Sequence, residues 1–216
     1  MEIKEFYTLK ECSVGEIIEK KSRFIATAYP IKNKEDAEDK INQLKKKHYN
    51  AKHNCFAFSY IDDEKIVEKC SDDGEPSGTA GMPILNVIKK NGLNNTLIVV
   101  TRYFGGILLG TGGLTRAYSD SAKKALEKGL IVKQEPGIEA YIEVEYSENE
   151  KFKYYCKKNK ININECEYGE TIFYKIDINE EEYKNMTIKN KTNKTELSFN
   201  IKSNGVICRK FIEKQE

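Results

Sequence analysis

The chain has 216 residues, enough for one large domain or two small ones. Its 36 Lys and Arg against 34 Asp and Glu, with 39% hydrophobic and 32% charged residues, exclude both a basic tail protein and a chain too polar to fold. Residues 1–135 carry 22 basic and 19 acidic groups and residues 136–216 carry 14 and 15, so net charge alone points neither half at a polyanion. Acidic residues follow Met1 closely, with no apolar stretch of the secretory kind. The aliphatic runs Leu97–Val100 and Ile107–Leu109 fall far short of the roughly 20 residues a spanning helix needs. The expectation is a cytoplasmic chain with no membrane contact. Six cysteines without C-x-x-C spacing, and only two histidines, read as reduced thiols with no metal site.

In chain order, residues 15–20 and 23–30 read as strands. Asn33 then caps a helix whose Ala37, Ile41, Leu44 and His48 share one face, ending near Tyr49. Residues 55–61 and 66–70 form a hairpin about Asp62-Asp63-Glu64. Thr79 to Lys90 is helical, with Pro83 in the first turn and Asn91-Gly92 as the stop. The apolar run Thr96 to Thr101 is a central strand, and Leu114 to Lys128 is the clearest helix, closed by Gly129. After Glu135-Pro136-Gly137 the texture turns Lys-, Asn- and Ile-rich, which sets a domain boundary. Beyond it come strand 138–146, helix 148–158, strands 161–168 and 171–178, helix 180–189 and strand 196–201, the βαββαβ order of a ferredoxin-like domain. The chain therefore reads as α+β in two domains, 1–135 and 136–216.

Nine of the 14 glycines lie between Gly74 and Gly113. In the later part of that stretch, Arg102 and Tyr103 end a strand, and Gly110, Thr111, Gly112 and Gly113 precede a helix carrying Arg116. Backbone N–H groups there can converge on an anion, with the arginines beside them. Glycines permitting tight turns, with arginines paired to acids, explain the pattern equally well. Neither a P-loop nor a dinucleotide fingerprint is present. In the earlier part, Asp72, Asp73 and Glu75 can hold Mg²⁺ or serve as acid and base. The preferred reading is structural: the aspartates shape a turn, Glu75 pairs with Arg102 or Arg116, and Ser77 or Thr79 caps the next helix. A His53, Asp73, Ser77 triad can be drawn, but no nucleophile signature supports it. Lys45, Lys46, Lys47 and His48 with Lys52 and His53, near Tyr49 and Tyr103, form a basic patch suited to a nucleic-acid backbone, or a solvated helix end.

The blocks SDDGEPSGTAGMPIL (71–85) and VVTRYFGGILLGTGGLTRAYSD (99–120), with KSRFIA (21–26) and His53-x-Cys55, closely resemble the bacterial YigZ family and its eukaryotic relative IMPACT. The resemblance is strong over about 1–130. It implies an N-terminal α/β domain of the fold shared by a small-subunit ribosomal protein, the fourth domain of elongation factor G and the GHMP kinases. It implies a C-terminal domain similar to the fifth domain of elongation factor G. For IMPACT the family role is translational regulation through contacts that restrain a stress kinase, and its protein-docking domain has no counterpart here. No established enzymatic activity or cofactor comes with the family.

The leading expectation is a non-enzymatic protein of RNA, the ribosome or another part of the translation apparatus. Arg102, Tyr103, Arg116, Lys45–Lys47 and Lys52 would touch backbone. The alternatives are a Mg²⁺-dependent phosphotransferase or hydrolase using Asp72, Asp73 and Glu75, and a protein-binding regulator, which an exposed apolar patch would favour.

Overall fold

A computed structural model describes residues 5–62, 65–184, 186 and 201–213. The chain divides into two compact units, 1–133 and 134–216.

The first unit is built on five antiparallel strands in the order β2-β3-β6-β4-β5: β2 (Ser13–Glu19), β3 (Ser22–Pro30), β4 (His53–Asp62), β5 (Lys65–Ser71) and β6 (Thr96–Tyr103). β6 lies at the centre, as its unbroken apolar run requires, because both its faces are covered. Ile98 and Val100 face a core shared with α2 (Gly81–Lys90) and α3 (Gly110–Lys128), while Leu97 and Val99 face α1 (Lys34–Lys47) on the other side. α1 follows its sequence signals: the Asn33 side chain accepts from Asp36 N–H at 2.9 Å, Glu35 and Asp36 sit in the first turn, and Lys45–Lys47 occupy the last. A short strand β1 (Phe6–Leu9), not foreseen in the sequence, borders the beginning of β7 (Ile131–Val144).

The second unit continues β7 and adds α4 (Asn149–Lys158), β8 (Asn162–Tyr168), β9 (Ile172–Asn179), helical residues 180–184, and β10 (Ile201–Glu213). Its strands pair antiparallel in the order β8-β9-β7-β10. Alternate residues Ile138, Ala140, Ile142 and Val144 of β7, with Ile172, Tyr174, Ile176 and Ile178 of β9, pack beneath Phe152 and Cys156 of α4.

Three boundaries differ from expectation. α3 begins at Gly110 rather than Leu114, because the glycines allow a helical first turn without side chains to fill it. α2 begins at Gly81, not Thr79. The boundary segment Glu135-Pro136-Gly137 lies inside β7, which begins at Ile131 rather than Ile138, with Pro136 placed just before the β9 ladder opens at Gly137. Residues 187–200, covering the end of the expected last helix and most of the expected last strand, lie outside the described residues.

Candidate nucleic-acid interface

Antiparallel alternation collects the sequence-flagged residues at one end of the first unit's sheet. There β2 ends and β3 begins (Glu19 opposite Ser22), β6 ends (Tyr103 opposite Arg23), β4 begins (His53 opposite Arg102) and β5 ends (Ser71 opposite Phe56). The α1–β4, β5–α2 and β6–α3 connections all emerge at that end, although they are separated by up to about a quarter of the chain in sequence.

The β5–α2 connection turns its carboxylates inward. Asp72 accepts from Gly78 N–H (2.8 Å) on one oxygen and from Ala80 (2.9 Å) and Gly81 (2.8 Å) on the other, so it closes the start of α2. Ser77 and Thr79 do not cap that helix: the Thr79 hydroxyl donates to Pro76 O, and the expected cap is supplied from eight residues further back. Burial pushes the Asp72 carboxyl up, but the three backbone donors prevail and hold it below the usual aspartate range. Asp73, in the left-handed region at φ 43°, accepts from Lys45 Nζ and from Asn54 N–H, each at 2.7 Å.

Glu75 is 4% exposed and pairs with Arg102, itself 6% exposed, at 2.6 Å; the same oxygen accepts the Tyr118 hydroxyl at 2.8 Å. The Arg102 guanidinium lies over the Phe24 ring at 5.3 Å and the Phe104 ring at 5.5 Å. Arg102 is thus inside the protein, out of reach of an RNA backbone, and of the two arginines the sequence offered as partners for Glu75 it is the one that pairs. Cys55 donates to Asp72 O at 2.9 Å, and burial pushes its thiol up to about 12, which leaves it an unreactive core group. His53 Nδ1–H donates to the Asp73 main-chain carbonyl at 2.9 Å instead of to its carboxylate, so the drawn triad does not assemble. All three carboxylates of this connection are engaged by protein donors. Among the described residues no cluster of His, Cys, Asp or Glu is arranged to hold a metal ion.

The cations face outward. Lys46, Lys47 and Lys52 are exposed around Tyr49, which is 85% exposed, while Lys45 is drawn to Asp73. Tyr103 is anchored, accepting from His48 Nδ1–H at 2.9 Å and donating to Asn50 at 3.3 Å. Burial, then Lys47 and Arg23, lower the His48 pKa, so its ring favours the neutral form. Lys20, Lys21 and Arg23 of the β2–β3 turn extend the same rim, Arg23 being bound to Glu16 at 2.7 Å. Sequence reasoning passed over these three, yet the Lys20-Lys21-Ser22-Arg23 run was a visible signal.

The β6–α3 connection is open. Gly105 lies against the Lys21 backbone so closely that a Cβ would meet it at 2.0 Å, and Gly110 starts α3 at φ 70°. Gly112 needs neither exemption, since its φ is ordinary and a Cβ there would meet nothing within 4 Å. No side chain caps α3. Thr111, Gly112 and Arg116 are exposed on its first two turns, and Phe104, Ile107 and Leu108 (82% exposed) also face outward.

Comparison with known proteins agrees with the sequence resemblance. Residues 20–126 match the Impact N-terminal domain. The chain is 38% identical over 177 residues to the IMPACT family member YvyE of Bacillus subtilis (strain 168), covering 82% of this chain and 81% of that one. It is 38% identical over 128 residues to the IMPACT family member YigZ of Escherichia coli (strain K12), covering 59% of this chain and 63% of that one. A crystal structure of a hypothetical protein superposes with a TM-score of 0.62 at 25% identity, over 92% of this chain and 97% of that one. The chain belongs to the IMPACT family.

Proposed function

We propose that this protein is a non-enzymatic component of translation that binds structured RNA, on or off the ribosome, through the loop end of its first unit. The observation that carries the reading is the separation of charge there. Acids are bound inward by backbone and arginine, while Lys20, Lys21, Lys46, Lys47, Lys52 and Arg116 are exposed, with Tyr49 exposed between Lys47 and Lys52 in the α1–β4 connection. Exposed lysines suit a phosphate backbone, and the exposed tyrosine offers a face on which a base stacks. A chain of net charge +2 can present such a surface because Asp72, Asp73 and Glu75 at that end are taken up by protein donors. The family resemblance, with its likeness to two adjacent domains of elongation factor G, supports placing that RNA in the translation apparatus. Replacing Lys46, Lys47 and Lys52 with Glu should abolish co-sedimentation with ribosomes and flatten the salt dependence of RNA binding, with the unfolding midpoint unchanged. Equal binding by the triple variant and the parent would sink the reading.

The exposed Phe104, Ile107 and Leu108 favour a second reading, a protein-binding regulator. Under it, Leu108→Ser removes ribosome association even after the particles' accessible RNA has been digested, and the lysine substitutions do not.

A further inference from the structure

The β2–β3 hairpin turns in two residues: Glu19 pairs with Ser22, so Lys20 and Lys21 alone make the turn, at φ 44° and 64°. Positive φ at both central positions is the type I′ geometry, which matches the twist of the flanking strands and for which Asn-Gly is the preferred pair. Lysine does not suit it. Its Cβ crowds the following carbonyl, and it lacks the short polar side chain with which Asn and Asp bond their own backbone. Elsewhere in the first unit, the described non-glycine residues at positive φ are Asp73 and Asn95, both of types that tolerate it. Two consecutive strained lysines must therefore be held by their surroundings. The Gly105 backbone holds them, lying so close that a Cβ on it would meet the Lys21 carbonyl carbon at 2.0 Å and the Ser22 nitrogen at 2.4 Å. Gly105 N–H also donates to the Ser22 hydroxyl at 3.2 Å. The side chains of the same run divide in use. Ser22 is buried, and Arg23 gives two nitrogens to the Glu16 carboxylate, at 2.7 and 2.8 Å. Lys20 and Lys21 are exposed, and among the described residues neither makes an ion pair, even with the flanking Glu19.

We propose that the Lys20-Lys21 turn is a preset clamp for two phosphates of one RNA strand, its strain retained because the relaxed turn sequence carries no charge. The inference rests on the RNA reading above and assigns one of its contacts. Asn and Gly at the tip would ease the backbone, but neither supplies a cation. Lysine supplies a compact ammonium on a long flexible stem, so two of them on adjacent residues reach two phosphates of a strand without needing a fixed side-chain geometry. What is fixed is the backbone beneath them. With the turn pinned by Gly105 and Ser22, little main-chain ordering remains to oppose binding. The ladder that sets Arg23 opposite Tyr103 places this tip at the same sheet end as the α1–β4 connection, which bears Lys52.

The test uses the full chain, two double variants of the turn and a fluorescein-labelled RNA stem-loop, read by fluorescence anisotropy over a salt series beside thermal unfolding. In the first variant Lys20→Asn and Lys21→Gly relax the turn and remove both charges. In the second, Lys20→Gln and Lys21→Gln remove the charges and keep the strain. Gly105 meets only the backbone of the turn, so its contact survives in both. Both should bind the RNA roughly tenfold more weakly at low salt, and the slope of log K against log salt should lose about 1.4–1.8, two contacts' worth. Only the first should unfold several degrees above the parent, because it alone releases strain. Undiminished binding by both variants, where the Lys46→Glu, Lys47→Glu, Lys52→Glu triple variant abolishes it, would overturn this inference and leave the RNA reading standing. A midpoint of the first variant at or below the parent's would overturn it as well, since the turn would then hold no strain. A parent chain without affinity for the RNA would sink the RNA reading and this contact with it.

Discussion

The two glycine-bearing connections at the loop end of the first unit look alike in sequence and are opposites in structure. The β5–α2 connection is filled: Asp72 takes three backbone donors, Asp73 takes Lys45 and a backbone N–H, and Glu75 takes a buried arginine and a tyrosine hydroxyl. The β6–α3 connection is unfilled, with an uncapped helix start, an exposed Arg116 and apolar side chains in solvent. The carboxylate-rich motif has its acceptors filled by protein donors, and the segment without acids between Arg102 and Arg116 is the one left uncapped and exposed. Substitutions in the first should register in stability, and those in the second in binding.

The largest effect should come from Glu75→Gln. The amide can still accept the Tyr118 hydroxyl, but it leaves the Arg102 charge buried without a counter-charge. Breaking one side of a buried pair costs about 3–5 kcal/mol, so urea unfolding should shift by that amount. RNA affinity of the fraction that stays folded should be unchanged. A variant that unfolds like the parent but no longer binds RNA would place the ligand in the β5–α2 connection and erase the contrast. Arg102→Met, which substitutes an apolar chain, leaves Glu75 as the uncompensated member and should be destabilising for the same reason.

Asp72→Asn should come next, at about 1–2 kcal/mol, because an amide has one accepting oxygen where the carboxylate uses two. The pH dependence follows from the direction of its shift. The folded pKa lies below the ordinary value of 3.8, so the carboxylate's contribution is complete above the unfolded pKa and is lost as pH falls through the lower folded one. The stability gap between parent and variant should be full at pH 7 and narrow below about pH 4. A gap that is flat down to pH 3 would mean that the three backbone donors do not favour the ionised form.

Much of this architecture could be read from the sequence, and the reasons are local. The α1 cap at Asn33, the buried run of β6 and the face of α3 are periodic or capping signals carried by neighbouring residues. The Arg102–Glu75 pair was available only as one of two options, since 27 positions separate them and only the register of β6 beside β4 decides. The cap on α2 could not be read at all. Asp72 reaches over an eight-residue loop to do what sequence rules assign to the adjacent Ser77 or Thr79. The rim at Lys20, Lys21 and Arg23 joins Lys46, Lys47 and Lys52 only through the ladder that sets Arg23 opposite Tyr103, a pairing 80 residues long in sequence.

The smallest structural effect, and the sharpest test of the contrast, is expected from Arg116→Ala beside Gly112→Val. Arg116 is exposed on α3 and makes no ion pair among the described residues, so its removal should change stability by no more than about 0.5 kcal/mol. If it contacts a phosphate, RNA affinity falls across unrelated sequences and the slope of log K against log salt loses about 0.7–0.9, one contact's worth. Gly112→Val isolates the helix start. Its φ is ordinary and the space is empty, and Val is a better helix former than Gly, so the folded state should be no less stable. What Val changes is access, since two methyl groups now stand over the first-turn N–H groups. Weaker RNA binding with an unmoved unfolding midpoint in both variants would assign the end of α3 to the backbone contact. Unchanged affinity in both would confine RNA to the lysine rim and leave the β6–α3 connection to a protein partner meeting Phe104, Ile107 and Leu108.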